Sequence, residues 1–179
     1  MKLKVIKFNS VSSTNNKAIK LIQSGKHSSG LIISNTQTNG RGTMGKKWIS
    51  KKGNIFISIF FKVNFTKIKI ENFLIINALI IKKILKGYTN KLITIKKPND
   101  LLIEKKKFCG ILQEVIEFKD NKFLITGIGI NISSAPNSKK FISTCLKKYS
   151  KKIITNSSIV KKIKQSYEKM IDEISFVIM

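Results

Sequence analysis

The stretch GRGTMGKKW (residues 40–48), read with NIFISIFF (residues 54–61) after it, decides between two folds. Gly40, Gly42 and Gly45 have the spacing of a dinucleotide-binding turn, which opens a helix in a doubly wound parallel sheet. The segment after this loop is short, β-branched and aromatic, so it reads as a strand. That fingerprint also requires an acidic residue about 20 positions on. None occurs between Gly42 and Glu71. Gly40, Gly45 and Lys46 likewise spell most of a phosphate loop, but Lys47 stands where a magnesium-binding Ser or Thr belongs. Neither nucleotide motif has its context. The loop does hold the only arginine, Arg41, among 35 Lys and Arg residues, and the only tryptophan, Trp48. The planar arginine fork grips a carboxylate or phosphate with two hydrogen bonds. The loop is expected to bind an anionic or phosphorylated small molecule. The plain alternative is a glycine-rich surface turn without a ligand.

Working outward, residues 3–8 read as a strand. Ser13-Thr14 caps a helix that Gly25 stops. Residues 30–34 form a short buried strand leading to Gln37 and the loop, and residues 54–63 the next strand. Residues 71–85 form a largely buried helix ending near Gly87. Strands return at 92–95, 101–103 and 108–118, the last two flanking a lysine-rich turn and so predicting a hairpin. Asp120-Asn121 is a second turn into a strand at 122–131, and residues 155–158 cap a final helix running to about Glu173. This order predicts an α+β fold with a mixed, largely antiparallel sheet flanked by helices.

The 179 residues are expected to form one domain, 1–179, and a hydrophobic fraction of 42% supports a packed core. The formal charge of +26 invites a nucleic-acid reading. Yet the lysines are spread along the whole chain, and no zinc-finger spacing, RNP-like motif or helix-turn-helix appears. Specific DNA binding is not expected, although the charge can steer an acidic protein partner. No secretory signal or membrane span is legible, and Cys109 and Cys145 form no CxxC pair. A cytoplasmic protein without disulfides or zinc is the expectation. His27, in the polar run 25–29, reads as a solvated loop residue.

Five motifs occur in order. They are Ser13-Thr14-Asn15; Gln37 with Gly40-Arg41-Gly42-x-x-Gly45-x-x-Trp48; Lys96-x-Pro98-Asn99-Asp100; Lys107-x-x-Gly110-Ile111-Leu112-x-Glu114; and Gly127-Ile128-Gly129-Ile130-Asn131. Together, over residues 11–132, they resemble the catalytic domain of biotin–protein ligases, with the fold of that domain and of class II synthetases. The resemblance implies activation of biotin with ATP to biotinyl-5′-AMP, and transfer of biotin to one lysine of a biotin carboxyl carrier protein. That acceptor would be a domain of acetyl-CoA carboxylase or a related biotin enzyme.

The same resemblance implies the site. Lys107 and Arg41 are the catalytic cations. Ser13, Thr14, Asn15, Gln37, Arg41, Gly42, Thr43, Lys107 and Gly110 would bind biotin, whose neutral ureido head suits neutral hydrogen-bonding groups. Arg41, Trp48, Asn99, Asp100, Lys107 and Asn131 would bind ATP and the adenylate. Trp48 would shield the adenylate or pack on adenine, a core tryptophan being the competing reading. Gly129 would let backbone approach the ligand. Mg2+ would be bridged by the phosphates, with Asn99 the candidate protein ligand and no metal site built by protein alone. A monomer or weak homodimer is implied.

Three departures stand out. The family often has arginine where Thr43 and Lys46 stand, and tryptophan where Lys97 stands. The chain ends at residues 174–179, where relatives continue into a small β-barrel, so that domain is expected to be absent. An N-terminal DNA-binding domain, and hence repressor activity, is also not expected. A lipoate or octanoate ligase of the same fold is the nearest rival. A basic nucleic-acid-binding module is the rival from another class.

Overall fold

The computed structural model describes residues 1–64, 69–137 and 142–178. Met179 and the side chains of residues 175–178 lie outside the described residues, and with them most of the reading of the chain end. The elements are β1 (Val5–Val11), α1 (Thr14–Gln23), β2 (Ser29–Gln37), β3 (Ile55–Val63), α2 (Ile70–Lys86), β4 (Ile93–Lys96), β5 (Asp100–Ile103), β6 (Lys106–Phe118), β7 (Asn121–Ile130) and α3 (Asn156–Ile178). Seven strands form one sheet in the order β1-β2-β3-β7-β6-β5-β4. β1 and β2 run parallel, and the other neighbouring pairs are antiparallel. This is the mixed, largely antiparallel α+β sheet that the segment order predicts.

Strand alternation divides the core into two layers. On β3, Ile55, Ile57, Ile59 and Phe61 meet Phe73 and Ile81 of α2 and Ile159, Ile163 and Tyr167 of α3. Phe60 belongs to the other face, with Ala18 and Ile22 of α1, Ile32, Phe123 and Ile125. A strand covered on both faces needs apolar residues at consecutive positions, which is why NIFISIFF does not alternate. Each fully buried aliphatic or phenyl side chain contributes about 1.5–3 kcal/mol of transfer free energy.

Ser13 is the N-cap of α1 and its hydroxyl accepts from Asn16 N–H, as the capping reading requires. The two late hairpins differ in detail from expectation. The β5–β6 turn is Glu104-Lys105, both with positive φ, so Lys106 and Lys107 are strand residues rather than turn residues. The β6–β7 turn is Lys119-Asp120, again with both residues left-handed. Two-residue turns of this hand match the twist of an antiparallel pair, and that requirement outweighs the usual preference for Gly or Asn.

Candidate active site

α1, the 40–48 loop, β6 and β7 meet on the α1 face of the sheet around a cleft of about 440 Å3, its open mouth included. Ser13, Thr14, Asn15, Gln37, Arg41, Gly42, Thr43, Trp48, Asn99, Lys107 and Gly110 all line it. Asp100 and Asn131 are not part of the lining.

One end of the cleft is neutral and already ordered. Gln37 Oε1 accepts from Thr14 N–H at 2.8 Å and from the Thr14 hydroxyl at 3.1 Å, while Gln37 Nε2 donates to Ser50 at 3.0 Å. The Asn15 amide accepts from the Ser58 hydroxyl at 2.5 Å and donates to Glu114 at 2.7 Å. Such a network holds each side chain in one rotamer before a ligand arrives.

The loop is closed at its base by backbone bonds, Trp48 N–H to Gly40 O at 2.8 Å and Gly42 N–H to Lys46 O at 2.7 Å. Its tip at Met44 is bare and left-handed. Trp48 is half-buried at the cleft rather than in the core. Its ring covers two glycines: a Cβ at Gly110 would lie 2.7 Å from Trp48 Cζ3, and one at Gly129 would overlap Cε2. The space beside Gly129 therefore admits the Trp48 ring, and Gly129 also lines the cleft. Trp48 Nε1 is buried with no hydrogen-bond partner.

Two cations line the other part of the cleft, each backed by a carboxylate. Lys107 Nζ lies 2.7 Å from Asp100 and 5.3 Å from the centroid of the Trp48 ring. Lys105 and Lys106 stay exposed at the hairpin, so the fold brings only Lys107 of the three into the cleft. Arg41 Nη2 donates to Glu114 Oε2 at 2.6 Å. Among the described residues, no carboxylate lines the cleft itself. Asn99 donates its amide to Ile111 O at 2.7 Å, and Asn131 donates to Thr144 O at 3.1 Å while its own Oδ1 is buried without a partner. Neighbouring Cys109 is fully enclosed, and burial pushes its thiol well above the usual range, so thiolate chemistry is not supported there. Among the described residues there is no cluster of three or more His, Cys, Asp or Glu that could hold a metal, and no helix long and apolar enough to cross a membrane.

Glu114 carries no role in the motif as a sequence, although it stands on β6 at the alternating positions Gly110, Leu112 and Glu114. That period-two pattern was the available signal.

The arrangement has counterparts among known proteins. The chain is 27% identical to the biotin protein ligase from Aquifex aeolicus in complex with biotin and ATP, with a TM-score of 0.76, covering 93% of this chain and 69% of that one. It is 30% identical over 165 residues to the bifunctional ligase/repressor BirA of Bacillus subtilis, covering 89% of this chain and 51% of that protein. The chain thus spans about half the length of the curated relatives it matches. A bipartite lipoate protein ligase from Thermoplasma acidophilum shares the fold alone, at 8% identity and a TM-score of 0.66, over 96% of this chain and 84% of that one. Residues 7–131, which carry the neutral cradle, the glycine loop and both cations, match the biotin/lipoate A/B protein ligase family, and the chain belongs to that family.

Proposed function

We propose that this protein joins biotin to ATP and passes the biotinyl group to a lysine of a biotin carboxyl carrier protein. The observation that carries the reading is the cleft's polarity: a preordered neutral end at Thr14, Asn15 and Gln37, and two cations, Arg41 and Lys107, in the remainder. Biotin has the same polarity, a neutral ureido ring at one end and a carboxylate at the other.

In the first step a carboxylate oxygen of biotin attacks the α-phosphorus of ATP. The bond from that phosphorus to the bridging oxygen breaks, and pyrophosphate leaves. Two anions must approach, so cations fixed beforehand are the chief electrostatic contribution available. Lys107 suits the attacking carboxylate and the α-phosphate oxygens, and its contact with Asp100 holds it in place. Arg41 suits the same anions from the loop. In the second step the acceptor lysine, as a free amine, attacks the acyl carbon, AMP leaves, and the ammonium formed loses a proton. ATP and Mg2+ are the cofactors of this reading. With no carboxylate on the cleft wall, the metal would be held by phosphates, with Asn99 as the nearest protein candidate.

Biotin-dependent exchange of labelled pyrophosphate into ATP tests the first step. Exchange with biotin but not with lipoate or octanoate is expected. The reverse preference would replace biotin by the lipoate-type acid. No exchange with any acid, together with salt-sensitive DNA binding, would favour the basic nucleic-acid module.

A further inference from the structure

Glu114 lies outside the cleft lining, yet one of its oxygens joins two residues that form it. Oε2 accepts from Arg41 Nη2 at 2.6 Å and from Asn15 Nδ2 at 2.7 Å. These donors come from different elements, the glycine loop and the first turn of α1. The other side of Asn15 is held as well, because its Oδ1 accepts from Ser58. Among the described residues, the Arg41 side chain makes one hydrogen bond, to Glu114. Its Nε is buried and has no hydrogen-bond partner. A buried N–H without an acceptor is costly, so such a group in a cleft wall points to an acceptor supplied from outside. The guanidinium is thus tied through Nη2, with its buried Nε–H left to donate.

We infer that Glu114 is a positioning residue: its carboxylate docks the glycine loop on β6 through Arg41, fixes Asn15 in the same act, and keeps Arg41 Nε–H for an anionic acid entering the cleft. This differs from an ordinary surface pair, which contributes little because both partners remain free to turn in water. Here one carboxylate oxygen ties two cleft residues together, so the neutral and cationic ends of the cleft are coupled. The part concerning catalysis rests on the proposed biotin-ligase reading, whereas the docking of the loop does not.

Trp48 is the sole tryptophan and sits on this loop, so its fluorescence reports loop docking without any substrate. The test compares the wild-type protein with Glu114→Gln, Glu114→Ala and Glu117→Gln. The last removes the charge of an exposed pair with Lys122 on the same strand and serves as control. Without ligand, acrylamide quenching of Trp48 is expected to rise about twofold or more in both Glu114 variants, because a released loop opens to small solutes. It should stay at the wild-type value in Glu117→Gln. In pyrophosphate exchange, KM for biotin should rise about tenfold, the scale of one lost charge-assisted hydrogen bond, with a smaller change in kcat. Glu114→Gln, which keeps an acceptor oxygen, should fall between wild type and Glu114→Ala. If Glu114→Ala does not fold, the near-isosteric Glu114→Gln carries the test. Unchanged quenching in a folded Glu114→Gln variant would overturn the inference, as would raised quenching with unaltered KM in an active enzyme. Raised quenching in a protein inactive with every acid would uphold loop docking and defeat the ligase reading instead.

Discussion

The Lys107 ammonium lies 2.7 Å from the Asp100 carboxylate, across the β5–β6 pair in which Asp100 faces Gly110. The contact aims a long, flexible side chain into the cleft. It also sets the Lys107 Nζ 5.3 Å from the centroid of the Trp48 ring.

If Lys107 is the donor that meets the developing charge, Lys107→Ala should lower adenylate formation about a hundred- to a thousandfold, the usual loss for one preorganised donor. Lys105→Ala and Lys106→Ala, at the exposed hairpin, should stay near wild type. The check is pyrophosphate exchange, with circular dichroism as the control for folding. Near-normal exchange by Lys107→Ala would remove the assignment.

Asp100→Asn should act through Lys107. Without its counter-ion the lysine samples more rotamers, and exchange should fall about tenfold. Because the two residues act as a unit, Lys107→Ala combined with Asp100→Asn should be no slower than Lys107→Ala alone. Additive losses would show that Asp100 has a separate task.

Gly129→Ala places a methyl group where the Trp48 ring lies. The ring belongs to a loop whose tip is exposed, so it should yield before strand β7 does. The stability cost should then be about 1 kcal/mol or less, with a shifted Trp48 emission and weakened ligand binding. A large fall in melting temperature with unchanged emission would place the strain in the sheet instead.

Glu168 tests the other side of the sheet. It accepts from Leu3 N–H at 2.7 Å and from Lys164 at 2.5 Å, tying the chain before β1 to α3. Burial disfavours its charge, but these two bonds outweigh burial and hold the carboxyl below its ordinary value of 4.5. A group with a lowered folded pKa stabilises above its unfolded value, and that contribution disappears as pH falls through the folded one. Glu168→Gln should therefore be less stable than wild type at neutral pH, by on the order of 1 kcal/mol. The gap should narrow as pH falls below 4.5 and close once the folded carboxyl is protonated. Urea titrations across this range would show it, and a gap that persists in acid would contradict the mechanism.

The features legible in the sequence were local or periodic. Ser13 announces its helix because a cap bonds only three residues ahead. β3 announces itself because burial on both faces leaves Ser58 as the one polar residue between Ile55 and Phe61. Lys107 appeared among three lysines, and only the left-handed turn at Glu104-Lys105 turns it into a strand residue facing the cleft. The partnership of Arg41 with Glu114 joins positions 73 apart. No local propensity encodes it; the antiparallel register of β6 creates it. Asn131 reads as a ligand residue in its motif; in the fold its amide donates to Thr144 O, and its Oδ1 is buried without a partner.

The central claim, transfer of biotin to a carrier lysine, is tested most directly by incubating the protein with biotin, ATP, Mg2+ and a purified acceptor domain, then weighing the acceptor by mass spectrometry. The acceptor should gain one biotinyl group on a single lysine, and the gain should be lost when ATP is omitted or Lys107 is replaced by Ala. An unmodified acceptor, with no biotinyl-5′-AMP formed by the folded protein, would contradict it.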